Sequence, residues 1–439
     1  MPTLDLQIEN TRPHVPDAPH LHSSLQPIFR LPAELLYEIF SEYIRNTCKP
    51  PSEPELSPSV SYDATNSPFT LGQVCSRWRN VAMSFPDLWT TIIISNPRTQ
   101  AHLSHTVLWL ERSAGQPLDL TVIAVDSDSF DFYAAEHILT VCASLSHLWR
   151  KVSLKLATTL LMPLHRVLRA SLPCEMLEDV HLYFNRRLGT LGMWLNPVIR
   201  GIWSIFYSSP SLRSVHWTTR ILDCCCRDAP STQLESITLD PIDLVGGEDV
   251  LHLISRFPNL HHLHAKVMQQ TSYEYPGEVS SLPIVFQHLT TLHLESKSPI
   301  SLLLTHITLP ALVDLSLVSH GETESLFAVP AVFSDFLRRS QCRVGKFVYC
   351  DPLASEQQLH TVFTLPELRS LTYFDFTGRV SDQTASLFSR HAGDGSLAVM
   401  PLLATLRLGI CFTADGVLSN VVLSRRPALK RYVFSTSDM

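Results

Sequence analysis

The chain has 439 residues, 45% of them hydrophobic, with 34 Lys and Arg against 41 Asp and Glu and a net charge of −7 at pH 7. That length supplies core for two or three domains, and 17% charged residues describe a chain without a strong field of either sign. Phosphate backbones demand clustered Lys and Arg, which are missing, and no apolar run is long enough to cross a bilayer, so neither a nucleic-acid nor a membrane partner is expected.

Residues 1–27 mix Pro, His, Asp and Gln without an apolar core and read as a disordered tail, not a signal or transit peptide. Order begins near Leu31. Pro32 suits the first turn of a helix, and Leu35, Leu36, Ile39, Phe40 and Tyr43 form one broad apolar stripe along it. Residues 46–68 carry Pro50, Pro51, Pro54, Pro58 and Pro68 among Ser, Glu and Asn, the composition of a disordered insertion. Beyond it Leu71, Val74, Cys75, Trp78, Val81 and Ala82 repeat the helical spacing, and Phe85, Leu88 and Trp89 follow around a Pro turn. Two helices this short cannot bury all of that surface on each other, so a partner surface is expected. The plainer reading of the periodicity is an ordinary buried helix pair.

Taken in order, these residues resemble the F-box family, whose motif opens Leu-Pro-x-Glu-Leu-Leu, continues to Ile-Phe and closes with Val-Cys-x-x-Trp-Arg. The LGQVC-x-RWR wording and the Pro-x-Leu-Trp ending at Pro86 to Trp89 are similar to the F-box families expanded in mushroom-forming fungi. The resemblance implies a small all-helical F-box over residues 28–90 that binds the Skp adaptor of a cullin-RING ubiquitin ligase and, through it, a cullin. Carried onto this sequence, the adaptor-binding residues are Leu31, Pro32, Leu35, Leu36, Ile39, Phe40, Val74, Cys75 and Trp78. The insertion departs from the family pattern and puts adaptor docking in question.

Residues 91–439 read differently. Ala101 to Ser113 has helical spacing, and Pro117 to Val125 (PLDLTVIAV) is an opening strand. From Trp149 a phrase of three apolar residues recurs: Trp149/Val152/Leu154, Leu177/Val180/Leu182, Leu212/Val215/Trp217, Leu234/Ile237/Leu239 and Leu260/Leu263/Ala265. It continues as Leu289/Leu292/Leu294, Leu312/Leu315/Leu317, Val344/Phe347/Tyr349, Leu368/Leu371/Tyr373, Leu403/Leu406/Leu408 and Leu429/Tyr432/Phe434. The mean spacing, about 28 residues, is that of leucine-rich repeats, each giving one short strand to a parallel sheet. Helices are expected between phrases at Val250 to Phe257, Val332 to Arg339, Glu356 to Phe363 and Gly416 to Ser424, with a Pro often two residues ahead of the leading Leu. The fold class expected is therefore α/β: the helical F-box followed by an irregular leucine-rich-repeat-like solenoid with a parallel sheet, whose last strand lies near an exposed end. Intervals between phrases are uneven, only Asn185 supplies the Asn that usually follows such a strand, and a generic α/β domain is the alternative.

In this arrangement the residue between the second and third apolar positions faces the concave surface, giving Ser153, His181, His216, Thr238, His264, His293, Ser316, Val348, Thr372, Arg407 and Val433. The four histidines suggest a polar ladder that titrates near neutral pH. With His262 and Lys266 on the face of His264, the substrate-binding residues expected are His181, His216, His262, His264, Lys266 and His293; strand positions that merely accept His are the plainer reading. No HExxH, GxSxG, GxxxxGK or GxGxxG is present, so neither catalysis nor a cofactor is expected. The ten cysteines read as free thiols of a cytoplasmic or nuclear protein, and the run Cys224 to Cys226 lacks the spacing with which thiolates converge on zinc, so no metal is expected there. The resemblance, joined to the repeat region, implies a substrate receptor of a Skp-cullin-F-box ligase with an unknown protein target; the alternative is a non-catalytic interaction scaffold without ligase association.

Overall fold

The computed structural model describes residues 31–47, 67–125, 130–185, 192–218, 228–240, 247–267, 283–321, 325–327, 330–391, 397–426 and 428–436. The expected tail at 1–27 and the run Cys224 to Cys226 lie outside them, as does most of the expected insertion. Two compact units divide the chain between Leu88 and Trp89.

The first unit is helical. Helix α1 spans Ala33–Thr47, so it runs two residues into the expected insertion, and Pro32 stands just ahead of its first turn with its carbonyl accepting from Leu36 N at 3.2 Å. Glu34 in the first turn and Arg45 in the last complement the helix dipole. Leu36, Phe40 and Ile44, four residues apart, make the buried stripe. The single helix expected over 71–82 is two: α2, Pro68–Val74, and α3, Ser76–Ser84. Cys75 between them is extended (φ −160°, ψ 170°), and its Sγ accepts from Trp78 N at 3.4 Å. The thiol thus caps α3, satisfying one of the amide donors a helix start leaves open. Trp78 packs on Phe40 with ring centroids 4.9 Å apart, and Tyr37 stacks on Phe85 at 4.6 Å.

The second unit is α/β with one large parallel sheet. Its strands are β1 (Thr91–Ser95), β2 (Leu118–Ala124), β3 (Trp149–Ala157), β4 (Asp179–Asn185), β5 (Ser214–Thr218), β6 (Ser236–Leu239) and β7 (His262–Val267). A short strand β8 (Ile284–Val285) then precedes β9 (Thr291–Ser296), and β10 (Ile307–Thr308) precedes β11 (Asp314–Ser319); β8 and β10 pair separately. The sheet ends with β12 (Lys346–Cys350), β13 (Tyr373–Ser381), β14 (Thr405–Phe412) and β15 (Arg431–Thr436). All thirteen strands of the large sheet lie in chain order and pair in parallel. Parallel neighbours need a crossover, and helices such as Gln100–Arg112, Pro330–Ser340 and Glu356–Phe363 supply it. Strand β1 was not among the expected elements; its Thr91-Ile92-Ile93-Ile94 run is β-branched throughout.

Ten of the eleven phrases hold their register, with Val152, Val180, Val215 and their equivalents side by side in one row that is buried up to Leu406 and emerges at Tyr432. The exception is Leu368/Leu371/Tyr373. Pairing of Phe374 with Leu406 and of Phe376 with Leu408 shows the true phrase to be Leu371/Phe374/Phe376, so Asp375 and not Thr372 takes the intervening position. A 3-10 turn at Pro366–Ser370 buries Leu368 one turn early, which supplies the misleading apolar residue.

Parallel sheets are usually buried on both faces. Here burial alternates residue by residue, as in β2 and β9, so one face packs on helices and the other is open. The covered face is built from large rings: Trp217 packs edge-on against Trp203, and Phe363 against Phe374 and Phe376. Arg425 is fully buried beside it and donates to the carbonyls of Phe388, Val399 and Met400, which lowers its pKa to about 10 through loss of solvation. At the last strand Tyr432 and Val433 are about half exposed.

Candidate functional site

The open face carries one continuous row across the sheet. Ser153, His181, His216, Thr238, His264, His293, Ser316, Val348, Asp375, Arg407 and Val433 are register partners strand by strand. Neighbouring strands stand about 4.8 Å apart, so side chains at one register position touch. The four ladder histidines therefore fall into two pairs, with Thr238 between.

In the first pair His181 and His216 stack face to face, ring centroids 3.9 Å apart and planes 14° apart, and Ser153 Oγ lies 3.3 Å from His181 Nδ1. Burial pushes His181 down to about 3, aided by the like charges His216 and Lys155 would present. It pushes His216 down to about 4, where Asp240 opposes the shift and His264, Lys155 and Lys266 assist it. Neither ring changes charge near pH 7, which corrects the expected neutral-pH ladder at these two positions: burial decides the protonation state, not the free imidazole value. Among the described residues the Nε2 atoms of both rings are buried without a hydrogen-bond partner.

The second pair has the opposite surroundings. Glu295, two residues beyond His293 on the same face of β9, accepts from His264 Nε2 (3.1 Å) and His293 Nε2 (3.2 Å) on Oε1. Its Oε2 accepts from His320 Nε2 at 3.1 Å and lies 3.5 Å from Lys266 Nζ, which in turn pairs with Asp240 Oδ1 at 3.3 Å. Hydrogen bonds from His264 and then His293, with help from Lys266 and His320 and against burial, hold this carboxyl far below the usual carboxylate range. Lys266 is raised: burial works against its charge, and Asp240 and Glu295 outweigh it. The result is a fixed carboxylate in a ring of donors, 18% exposed, with three imidazoles beside it.

Of the residues expected to bind a substrate, His264, Lys266 and His293 are brought together and His181 and His216 form their own pair. His262 is exposed at the start of β7 beside His261, and no described hydrogen bond joins it to Glu295. Sequence reasoning missed Glu295, Asp240 and His320. The signal for Glu295 was its two-residue spacing from His293, which puts both on one strand face.

In the first unit the residues expected at an adaptor separate by exposure. Leu35 (50%), Ile39 (44%) and Val74 (54%) are exposed, and Met83 (47%) joins them. Leu35 and Ile39 are one helical turn apart on the same side of α1. Leu36 and Phe40 are fully buried, which corrects their assignment: they are helix-packing residues and offer no surface to a partner. Pro32 is exposed; Leu31 is half-buried with its carbonyl held by Arg77, Cys75 is the cap of α3, and Trp78 is half-buried against Phe40.

No protein-family profile matches the chain, and no curated protein matches it. Among solved structures, a protein from Bacteroides fragilis determined as a structural-genomics target is similar with a TM-score of 0.35 and 13% identity, over 66% of this chain and 66% of that one. At that TM-score the likeness carries no argument about function. No described helix is long and apolar enough to cross a membrane.

Proposed function

We propose that this chain is the substrate receptor of a Skp-cullin-F-box ubiquitin ligase, with a small helical F-box in its first unit docking the Skp adaptor. The second unit, read as an irregular leucine-rich-repeat-like solenoid, binds a protein target on the open face of its sheet. The observation that carries the reading is the water-exposed set Leu35, Ile39 and Val74, set within the order Leu-Pro-x-Glu-Leu-Leu, Ile-Phe and Val-Cys-x-x-Trp-Arg. Large apolar side chains left in solvent at adjacent helical turns are the means by which helices present a docking face. On this reading the chain contributes no bond-making chemistry. It raises the effective concentration of a target lysine near a charged ubiquitin carrier held by the other subunits.

Mixing the purified full chain with a Skp adaptor and separating the species by size tests the reading. Comigration as a stoichiometric complex is expected. Separate elution contradicts it and leaves the interaction scaffold in its place.

A further inference from the structure

His264 and His293 are register partners on adjacent strands, and Glu295 follows two residues on along β9, so three side chains from rigid backbone converge on one spot of the open face. One ligand atom from each, a ring nitrogen of either histidine and a carboxylate oxygen, all lie within 4.8 Å of one another. Both imidazole nitrogens approach the same oxygen, Glu295 Oε1, at 3.1 Å and 3.2 Å. Ligand atoms about 2.1 Å from a tetrahedral zinc ion are separated by about 3.4 Å, so these edges are already close to the length such a site requires. From this geometry we propose that His264, His293 and Glu295 are a three-ligand site for a divalent cation of the zinc class.

The donor set selects the ion. Two imidazoles and a carboxylate suit zinc or cobalt, whereas magnesium and calcium take oxygen cages. The second carboxylate oxygen is already engaged by Lys266 and His320, which fixes the orientation of Glu295 as an outer partner does for a ligating carboxylate. Binding needs each ring as the neutral tautomer with its proton on Nδ1, leaving Nε2 free to coordinate. The two rings are about one-third exposed, so an ion enters from solvent and keeps a fourth position. Water fills that position until a carboxylate or imidazole of a bound polypeptide replaces it. The inference goes beyond the receptor reading and holds or fails without it.

The test uses the tag-free full chain, stripped with a chelator and titrated with Zn2+ against a chromophoric competitor, and with Co2+ while its visible spectrum is recorded. One tight equivalent of Zn2+ and the intense absorption of four-coordinate Co2+ are expected. Glu295→Gln and His293→Gln each weaken that equivalent at least tenfold, while His360→Gln, on an exposed helix position, leaves it unchanged. Circular dichroism confirms that each variant is folded, and the wild-type cobalt spectrum stands if one is not. Zinc affinity equal in wild type and in folded Glu295→Gln or His293→Gln, or cobalt with the weak spectrum of its aqueous ion, overturns the proposal and leaves a hydrogen-bonded polar cluster.

Discussion

The first unit leaves apolar side chains in water; the open face of the second leaves ionisable ones. Leu35, Ile39 and Val74 bring area without direction, which on the proposed reading serves adaptor docking. Glu295, with its three imidazoles and an ammonium, brings direction and charge, which on the same reading serves selection of one target over another. The same contrast recurs inside the row of four ladder histidines. His181 and His216 are partly buried and neutral, whereas His264 and His293 hold a carboxylate, although all four occupy the same place in the repeat. A residue type at a repeat position does not fix its chemistry; the neighbours two residues along and one strand across do.

The contrast within α1 gives the largest expected effect. Phe40→Ala removes a fully buried ring and lowers the stability of the helical unit by about 3–5 kcal/mol, read as a shift in the denaturant midpoint. A change below about 0.5 kcal/mol would place Phe40 on the surface with Ile39 and dissolve the distinction.

The contrast between the histidine pairs appears in pH dependence. Unfolded, His181 and His216 take up protons near about 6.5; folded, they do so only at about 3 and about 4. Between those limits the unfolded chain binds more protons, so their contribution is complete above about pH 6.5 and is lost progressively as pH falls toward the folded values. By pH 5 the loss is up to about 2 kcal/mol per ring. Urea titrations at pH 7 and pH 5 show it, and a His181→Gln, His216→Gln double variant flattens the difference. An equal slope in wild type and variant would mean that the rings are not held neutral.

Glu295→Gln keeps the shape and removes the charge that its donors surround. Because the cluster is partly solvated, a loss of about 1 kcal/mol at pH 7 is expected in the same urea titration. The smallest effect belongs to the exposed face: Leu35→Ala and Ile39→Ala each change stability by less than about 0.5 kcal/mol.

The parallel sheet was legible because every phrase must place apolar residues on the covered face, a constraint strong enough to hold ten strands in register. It slipped at Leu368, where ELRSLTYFDF offers two overlapping apolar frames and only pairing with β14 selects the one with Phe374 and Phe376. Strand β1 escaped because it follows Trp89 directly and belongs to no phrase. The break at Cys75 left no trace in hydrophobic spacing, since a single extended residue barely disturbs it. The polar ladder was legible as a row, and Glu295 could have been read from its place two residues beyond His293, whereas Asp240 and His320 join it only through strand adjacency and loop placement. Burial, which sets the charge of His181 and His216, is a property of the folded surroundings and not of the pattern.

Affinity of the full chain for a Skp adaptor, compared between wild type and a Leu35→Glu, Ile39→Glu double variant, tests the central claim most directly. Both positions are exposed, so the variant remains folded, and charge on a docking face weakens association by at least about 30-fold, or 2 kcal/mol. A wild-type chain that does not bind, or a double variant that binds as tightly as wild type, contradicts the account.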